Sequence, residues 1–301
     1  VTARWPKVLI QFEDFTNDHA FPLLDRYRKR VLCFNDDIQG TGAVALAGIL
    51  SALRVTDEPL SKQRFVFLGA GSAAVGIADM IVSGLVEEGL SPEEARKQFW
   101  LIDSKGLVLK SRTDELAEHK IPYAQSGDLT GSLLEVVRQV KPTVLIGVSK
   151  QAGSFSEEVI KEMQSHVSRP MIMALSNPTS KSECTAEQAF RWTAGKALFA
   201  SGSPFSPVTL AGKVFVPGQG NNMYIFPGVG LGAILCHTGQ VTNSMFYTAA
   251  KTLSEQVTFD ELEVGKLYPD LKTIRDISAQ IAVAVCEVAF EEKLAEFQKR
   301  N

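Results

Sequence analysis

The sequence lacks the features that would mark a secreted, zinc-binding or nucleic-acid-binding protein. Its four cysteines form no C-x-x-C pair, which argues against a disulfide framework or a zinc site and favours a reduced, intracellular protein. The formal net charge is −3 and the pI is about 5.9, so no basic surplus points to nucleic acid or to an anionic membrane. We therefore expect neither nucleic acid nor a membrane as a partner. The expected location is the cytoplasm, with an organelle matrix as the alternative.

Long hydrophobic runs are also missing. The longest apolar region, from Tyr224 to Cys236, is interrupted by one proline and three glycines and is too short to cross a bilayer. No signal peptide is recognisable, and the chain opens with VTARW rather than with methionine, so it reads as a piece of a longer protein. The 301 residues, 45% hydrophobic and 22% charged, are enough for one large or two medium globular domains.

Apolar segments typical of buried strands alternate with helical segments before Asn222. Strands are predicted at residues 7–12, 31–34, 64–68, 99–102, 143–148, 171–175, 197–200 and 214–216, and helices at 18–30, 42–55, 72–88, 133–139 and 157–165. This alternation is typical of an α/β fold with a doubly wound parallel sheet. After Asn222 the pattern becomes helical, with helices predicted at 225–237, 242–257 and 271–299.

A glycine-rich turn follows the strand predicted at 64–68. In the fingerprint G-x-G-x-x-G/A the first glycine makes a tight turn, the second lets the backbone approach a pyrophosphate, and the third small residue lets helix and strand pack closely. These positions hold Gly69, Gly71 and Ala74. The helix beginning at Ser72 would offer free N–H groups to phosphates, so we predict that Gly69, Ala70, Gly71 and Ser72 bind a nucleotide. The alternative is a close strand-to-helix turn that needs small residues only for packing.

An acidic residue at the end of the next strand would bind the ribose hydroxyls of such a nucleotide. Asp103 occupies this place, although it follows Gly69 by 34 positions rather than by the usual gap of about 20. Because a ribose 2′-phosphate needs cations nearby, the residues after this strand favour NADP over NAD. They are Ser104, Lys105, Lys110, Arg112 and Lys120. Against NADP, Asp103 would repel the phosphate unless its side chain turns away. Surface lysines after a strand and aspartates in turns are also common in proteins that bind no nucleotide, so an ordinary turn is the alternative.

Carboxylates follow the first two predicted strands. Glu13 and Asp14 come directly after the strand at 7–12, and Asp36 and Asp37 follow the strand at 31–34. If the two strand ends are neighbours, these side chains can share a hard cation such as Mg²⁺ or Mn²⁺, which prefers oxygen ligands. The alternative is turn chemistry and helix capping, the commonest use of aspartate in loops.

Asparagines follow later strands. Asn177 lies in the sequence Ser-Asn-Pro, and Asn221 and Asn222 follow Gly-Gln-Gly. Neutral amides at strand ends can hold a substrate carboxylate or a nicotinamide carboxamide; ordinary turns are the alternative. The four histidines show no i, i+4 pair and no cysteine partner, so each is expected to be a surface or core residue.

Together these motifs resemble the malic enzyme family. The matching segments are FEDF at 12–15, FNDDIQGTG at 34–42, FLGAGS at 67–72, ALSNPT at 174–179 and PGQGNN at 217–222. Their order and number are specific, and the resemblance extends from about residue 9 to about residue 227. It implies a Rossmann-like NAD(P)-binding domain over residues 36–221, with residues 1–35 and 222–301 forming part of a second domain that carries metal ligands and C-terminal helices.

The resemblance also implies a function. Malic enzymes oxidise (S)-malate and decarboxylate it to pyruvate and CO₂, with NADP or NAD as the cofactor and Mg²⁺ or Mn²⁺ as the metal. The residues implied are Glu13, Asp14 and Asp37 as metal ligands, Asn177, Asn221 and Asn222 as substrate and nicotinamide contacts, Thr41 near the cofactor, residues 69–72 at the pyrophosphate, and Ser104, Lys105 and Lys120 as the set of NADP-preferring members. A homodimer or homotetramer is also implied.

One departure from the family is large. Its general-base lysine, its general-acid tyrosine and an arginine that grips malate all precede the first acidic ligand, whereas this sequence begins only 12 residues before Glu13. Asp36 is the residue here that could orient a base. A non-catalytic NAD(P)-binding fragment or regulatory module is therefore an alternative. Another Rossmann oxidoreductase, such as an amino-acid dehydrogenase, is a third reading, but it would leave Glu13, Asp14 and Asp37 unexplained.

Overall fold

A computed structural model describes residues 1–128 and 131–296 of the chain. Within these residues the strands are β1 (Ile10–Phe12), β2 (Cys33–Asn35), β3 (Phe65–Leu68), β4 (Phe99–Asp103), β5 (Gly106–Leu107), β6 (Val144–Gly147), β7 (Met171–Ala174), β8 (Leu198–Ser201), β9 (Val208–Leu210), β10 (Lys213–Phe215) and β11 (Gly218–Gln219). The described helices are α1 (Asn17–Tyr27), α2 (Thr41–Thr56), α3 (Ser72–Glu87), α4 (Pro92–Arg96), α5 (Leu133–Val140), α6 (Glu157–His166), α7 (Ala186–Trp192), α8 (Phe226–Leu235), α9 (Asn243–Glu255), α10 (Phe259–Glu263) and α11 (Ile274–Glu291).

The main sheet has the strand order β11-β8-β7-β6-β3-β4-β5 in the described part of the chain. Its neighbours pair in parallel except for β5, which is antiparallel to β4. The chain leaves β3 toward β4 on one side and later returns to β6 on the other. In open α/β sheets, ligands bind at the carboxyl ends of strands where the order reverses. The crevice between the ends of β3 and β6 is such a point.

Helices cover both faces of this sheet, and the strand side chains alternate between two hydrophobic clusters. Phe65 and Phe67 of β3 belong to one cluster, which also contains side chains of α2, α3, α8, α9 and α11. Val66 and Leu68 belong to the other, with α5, α6 and α7. Strands buried on both faces are the rule in parallel sheets. The predicted α/β fold with a doubly wound parallel sheet and a helical C-terminus is therefore confirmed.

A second, small sheet positions the acidic residues. Strands β1 and β2 pair in parallel, with Phe12 opposite Asn35, so their carboxyl ends lie side by side. The residues that follow β2, Asp36–Gly40, form a π-helical turn, a rare conformation that is frequent at functional sites. This turn leads directly into α2. Strands β9 and β10 form a separate antiparallel hairpin.

Several details differ from the sequence-based expectations. The helix predicted at 271–299 is helix α11, which ends at Glu291 and is preceded by a 3₁₀ turn at Leu271–Thr273; its predicted last residues, 297–299, lie outside the described part. The pattern also missed short elements, such as α4, α7 and α10. These begin at Ser or Thr capping boxes but span only 5 to 7 residues, too few for a hydrophobic period to stand out. The predicted domain limits stay a prediction.

One described stretch, Asp36–Thr56, is long and apolar enough to cross a membrane by length and composition, but 78% of the 18-residue window that meets this test is buried within the fold. Its burial against the sheet and against α3 and α9 explains the apolar sequence.

Helix α3 approaches the π-helical turn and α2 so closely that two positions require glycine. A Cβ on Gly76 would lie 2.5 Å from the carbonyl oxygen of Ile38, and a Cβ on Gly42 would lie 2.6 Å from the carbonyl oxygen of Gly76. Both obstacles are backbone atoms, which cannot move aside like a flexible side chain. The helix that follows the glycine-rich turn and the turn that bears the carboxylates are therefore in direct backbone contact.

We expect Gly76→Ala to lower the free energy of unfolding by about 1–3 kcal/mol, since the added methyl group must displace backbone. Urea denaturation followed by circular dichroism measures this. Gly239→Ala is the matched control, because a Cβ there meets no atom within 4 Å, and its effect should stay within about 0.5 kcal/mol. Equal stabilities for the two variants would disprove the close contact.

Candidate functional site

Three carboxylates meet where β1 and β2 end. One carboxylate oxygen from each of Glu13, Asp14 and Asp37 lies within 4.8 Å of the other two. The backbone N–H of Asp14 donates to Asp37 Oδ2 at 2.8 Å, and Gln11 Nε2 donates to Glu13 Oε2 at 3.0 Å. The structure thus brings together the three residues singled out as metal ligands, because the parallel pairing aligns the two strand ends.

The electrostatics of this cluster favour a cation. In the residues that the structure describes, no Lys or Arg forms an ion pair with Glu13, Asp14 or Asp37. Burial raises the pKa of Glu13, and the negative charges of Asp37 and Asp14 raise it further against a hydrogen bond from Gln11. Three uncompensated carboxylates are the oxygen donors that Mg²⁺ and Mn²⁺ prefer. The residues present therefore fit such an ion.

Asp36 lies behind this cluster and is only 3% exposed. Asn222 Nδ2 donates to Asp36 Oδ2 at 2.9 Å and to Thr41 Oγ1 at 3.0 Å. Burial raises the pKa of Asp36 to about 6, opposed by the Asn222 hydrogen bond and reinforced by the charges of Glu13 and Asp37. The carboxylate holds the Asn222 amide through Oδ2, so Asp36 orients a site residue. Its Oδ1 is buried without a hydrogen-bond partner among the described residues, and Asp36 also lines the neighbouring cavity.

A cavity of about 570 Å³ opens between the carboxylates and the amides. Asn177, at the loop after β7, and Asn221, after β11, line it together with Glu13 and Asp37. Ser203 Oγ donates to Asn177 Oδ1 at 2.9 Å, which fixes the orientation of that amide. The cavity therefore combines anionic oxygens on one wall with neutral amide donors on the other. Its described lining residues that ionise are Glu13, Asp36 and Asp37; none is Lys, Tyr or His.

The glycine-rich turn lies at the neighbouring strand ends. Gly69 has φ +121°, and a Cβ there would lie 2.9 Å from the carbonyl oxygen of Val148, so the turn needs glycine. Gly69 N–H donates to Ile102 O at 2.8 Å, which ties the turn to the end of β4. Helix α3 begins after Gly71, which has no side chain to cap the first turn. A helix that begins at a glycine suits phosphate, since backbone N–H groups and the positive end of the helix dipole point toward the ligand.

Asp103 is held by two cations. Arg112 Nη2 donates to both of its carboxylate oxygens at 3.1 and 3.2 Å, and Lys120 Nζ donates to Oδ2 at 3.2 Å. Burial raises the pKa of Asp103, but hydrogen bonds from the Lys105 N–H, Arg112 and Lys120 outweigh it, and the net shift is downward. The Lys105 ammonium group instead pairs with Glu115 at 3.1 Å. The expected repulsion of a phosphate by Asp103 is thus largely neutralised.

Sequence reasoning missed Glu183, which is fully buried. Its carboxylate accepts from the Ser149 N–H at 3.1 Å and from Ser176 Oγ at 2.5 Å. These serines lie in the loops after β6 and β7, so one carboxylate ties together two loops at the ligand-binding edge of the sheet. No motif marks Glu183, because its partners are distant in sequence. Sequence reasoning also missed Ser203 as the partner of Asn177, 26 positions away, and it named Arg112 as a nearby cation but not as the partner of Asp103.

We expect Glu183→Ala to lower the free energy of unfolding by about 2–3 kcal/mol, because it leaves donors of the buried Ser176 and the half-buried Ser149 without acceptors. Urea denaturation checks this. Glu187→Ala is the matched control, since that glutamate forms an exposed pair with Arg191 and should contribute less than about 1 kcal/mol. A Glu183→Ala loss no greater than the control's would show that the carboxylate does not hold the loops.

The fold and the site define a Rossmann-type nucleotide-binding unit with an acidic cluster beside its cofactor edge. Residues 38–290 match the NAD-binding domain of malic enzyme. The chain therefore belongs to the malic enzyme family, and the predicted resemblance is confirmed.

Relatives and solved structures agree. An NADP-dependent malic enzyme of Dictyostelium discoideum is 58% identical over 98% of this chain and 55% of that protein. A mitochondrial NADP-dependent malic enzyme of Homo sapiens is 51% identical over 96% of this chain and 48% of that protein. In fold, a crystal structure of the Entamoeba histolytica malic enzyme matches with a TM-score of 0.79 at 24% identity, covering 97% of this chain and 56% of that one. The chain spans about half the length of the curated relatives it matches.

Proposed function

We propose that this chain is the cofactor- and metal-binding portion of an NADP-dependent malic enzyme, which converts (S)-malate to pyruvate and CO₂. One observation carries this proposal. The carboxylates of Glu13, Asp14 and Asp37 converge at a cavity whose other wall holds Asn177 and Asn221. A hydroxy acid needs both walls: a cation-binding group for its carboxylate and hydroxyl oxygens, and donors that orient the rest. The names of the related proteins support the same activity.

In this proposal Glu13, Asp14 and Asp37 hold Mg²⁺ or Mn²⁺. When bound, the divalent ion supplies Lewis-acid stabilisation of the negative charge that develops on a substrate oxygen. Asn177, with its oxygen fixed by Ser203 Oγ, presents its amide N–H groups to the ligand. Because Asn222 donates to Asp36, the two side chains hold each other in place and preserve the shape of the cavity.

The nicotinamide cofactor is proposed to lie along the carboxyl ends of β3 and β4. When bound, it supplies the acceptor for a hydride, and the protein positions it. Gly69, Ala70, Gly71 and Ser72 approach the pyrophosphate, and Thr41 lies on the acidic side of the cavity, hydrogen-bonded to Asn222. NADP is proposed as the preferred form, with NAD as the second choice. Ser104, Lys105 and Lys120 are proposed to contact the ribose phosphate. Arg112 and Lys120 together neutralise the charge of Asp103.

A second candidate function is NAD(P) binding without turnover. It is favoured by the lining of the substrate cavity, whose ionisable side chains in the described part of the chain are all carboxylates. Proton transfer to and from malate needs an acid and a base that reach the substrate. Of the lining carboxylates, Glu13 and Asp37 are proposed metal ligands, and Asp36, whose pKa burial raises to about 6, is held by Asn222. Without a lysine or tyrosine at the cavity, this chain by itself would bind its ligands but turn them over poorly.

One assay separates the two functions. The 301-residue chain, and a version extended toward its amino terminus, are mixed with malate, NADP and Mn²⁺, and NADPH absorbance and CO₂ release are followed. We expect the extended version to form both products, and to stop in excess EDTA. Turnover by the 301-residue chain alone would reject the binding-only candidate. Turnover that is undiminished by EDTA would reject the metal assignment, and an extended version that oxidises no malate would reject the proposed activity.

The assembly and the compartment are also proposals. A homodimer or homotetramer is expected from the family resemblance. An intracellular location is proposed, and it covers a mitochondrial matrix, since one of the related human proteins is named mitochondrial. Sedimentation velocity of the extended version would determine the number of subunits.

A further inference from the structure

A cavity of about 700 Å³ lies at the end of the main sheet opposite to the substrate cavity. The lining side chains that matter are Arg54, Arg169, Lys213, Glu263, Phe215 and Phe259. Arg169 precedes β7 and Asn177 follows it, so the two cavities lie at opposite ends of one strand, separated by roughly 13 Å of strand. Likewise α2 carries Thr41 of the substrate cavity in its first turn and Arg54 in its last, roughly 20 Å apart along the helix.

The charge of this cavity is positive and uncompensated. Three cations face one carboxylate, that of Glu263. In the part of the chain that the structure describes, none of Arg54, Arg169 and Lys213 forms an ion pair with a carboxylate. Burial lowers the pKa of Arg169, which reflects the cost of a half-buried charge without a counter-ion. An anion in the cavity would remove that cost.

Both guanidinium groups are held in place by the backbone while keeping donors free for a ligand. Arg54 Nη1 donates to Ser254 O at 2.6 Å and to Val257 O at 2.8 Å. Arg169 Nε donates to Lys196 O at 2.8 Å. The remaining N–H groups of each guanidinium have no hydrogen-bond partner among the described residues. Pre-positioned forks of this kind match the oxygens of a phosphate.

Aromatic rings flank the cations. The ring of Phe259 is 69% exposed, and the Arg54 guanidinium lies 5.2 Å from its centroid. Phe215 stacks on Phe190 at 5.0 Å and has Lys213 Nζ 5.4 Å from its centroid on top, so its faces are already occupied. Arg54 covers one face of Phe259, but the residue is largely exposed, so its other face offers an open aromatic surface beside the positive charges. A planar ring stacks well on such a surface.

We propose that this cavity binds a planar aromatic phosphate of the mononucleotide class, with its ring on Phe259 and its phosphate between Arg54, Arg169 and Lys213. The volume lies within the range of small-ligand sites, about 300–1,000 Å³. The site is separate from the proposed NADP site at the ends of β3 and β4. A mononucleotide and the dinucleotide can therefore bind to the same chain at once.

Isothermal titration calorimetry with AMP tests this proposal. We expect one AMP per chain with NADP at saturation, and affinity that falls as salt rises, since the contacts are partly exposed charges. Adenosine and inorganic phosphate supply the ring and the anion separately, and each should bind at least about tenfold more weakly than AMP. Phosphate binding as tight as AMP would reject the aromatic half of the site, and adenosine binding as tight as AMP would reject the anionic half. No saturable AMP binding, or complete displacement of AMP by NADP, would overturn the proposal.

Two variants locate the site without disturbing a structural hydrogen bond. Lys213→Gln and Phe259→Ala should each weaken AMP binding by about five- to a hundredfold, because one loses a charged contact and the other a stacking surface. The matched controls are Lys97→Gln and Leu235→Ala, which remove an exposed cation and an exposed apolar side chain elsewhere. AMP affinities of the two variants equal to those of the controls would place the nucleotide outside this cavity. A chain that binds AMP here but not NADP would leave this site standing while rejecting the proposed cofactor site.

Discussion

Replacing Asp37 by Asn is expected to weaken Mn²⁺ binding by more than about 100-fold. Loss of a residue that merely orients a metal ligand already costs about 10–100-fold in affinity, and Asp37 supplies one of only three clustered carboxylates. The amide keeps the shape of the side chain, and its Oδ1 can still accept the Asp14 N–H that the carboxylate accepts at 2.8 Å. The weaker Mn²⁺ binding of this variant should therefore result from the lost negative charge and not from a change in local structure. Electron paramagnetic resonance of free Mn²⁺ measures the affinity.

A stability measurement distinguishes this loss of charge from misfolding. In EDTA the Asp37→Asn chain should melt at the same temperature as the unmodified chain or higher, because one of three repelling charges is gone. With Mn²⁺ at about 100 times the dissociation constant of the unmodified chain, that chain gains about 2.7 kcal/mol, and the variant should gain almost nothing. Asp57→Asn, at an exposed helix end, removes the same charge and should behave as unmodified. A variant with normal Mn²⁺ affinity would end the metal assignment.

Replacing Lys120 by Gln is expected to raise the dissociation constant for NADP by about 10–100-fold, the value of one charged hydrogen bond, and to leave that for NAD within about threefold. Two effects act in the same direction. The ammonium group no longer meets the 2′-phosphate, and Asp103 keeps only Arg112 as a counter-charge, so its carboxylate repels the phosphate more strongly. Calorimetric titration of the chain with each cofactor gives both constants.

The control for this variant is Lys97→Gln, which removes an exposed lysine before β4, at the end of the strand opposite to Asp103. Lys97 forms no ion pair among the residues described, so neither cofactor should bind differently. If Lys120→Gln weakens NADP and NAD equally, Lys120 acts on a part common to both cofactors, and the 2′-phosphate role is wrong. Raising the salt concentration should narrow the difference between the two cofactors, since the contact is electrostatic and about one-fifth exposed.

The sequence predicted most of what lies at strand ends. Apolar runs located the strands, and the fingerprint glycines located the turn before α3, because both patterns reflect local backbone requirements. That Glu13, Asp14 and Asp37 share one site could be predicted only on the condition that the two strand ends are neighbours. Their meeting depends on the parallel register of β1 and β2, with Phe12 opposite Asn35. Each of these strands has only three residues, too few to show the hydrophobic pattern that sets a register.

Long-range polar contacts were beyond the sequence. Arg112 reaches Asp103 because a 3₁₀ segment, Lys110–Glu115, folds back over the end of β4, and nothing in its composition fixes that path. In the sequence, Glu183 cannot be told from a surface glutamate. Its role depends on the loops after β6 and β7, whose serines donate hydrogen bonds to its carboxylate. In each case the partner is chosen by the tertiary fold, so residue type alone gives no signal. The roles proposed for these side chains rest on the geometry that the fold provides.

The contact between Gly76 and the carbonyl of Ile38 has a mechanical consequence. The turn that bears Asp37 and the helix that begins at the glycine-rich turn contact each other through main-chain atoms. No flexible side chain of Gly76 separates them. A displacement of one relative to the other would therefore require the main chain itself to shift, so we expect the two to move together. A conformational change that excludes solvent from the site would then have to move a different part of the protein toward these two segments. The distance between the proposed metal and dinucleotide sites would be fixed before the substrate binds.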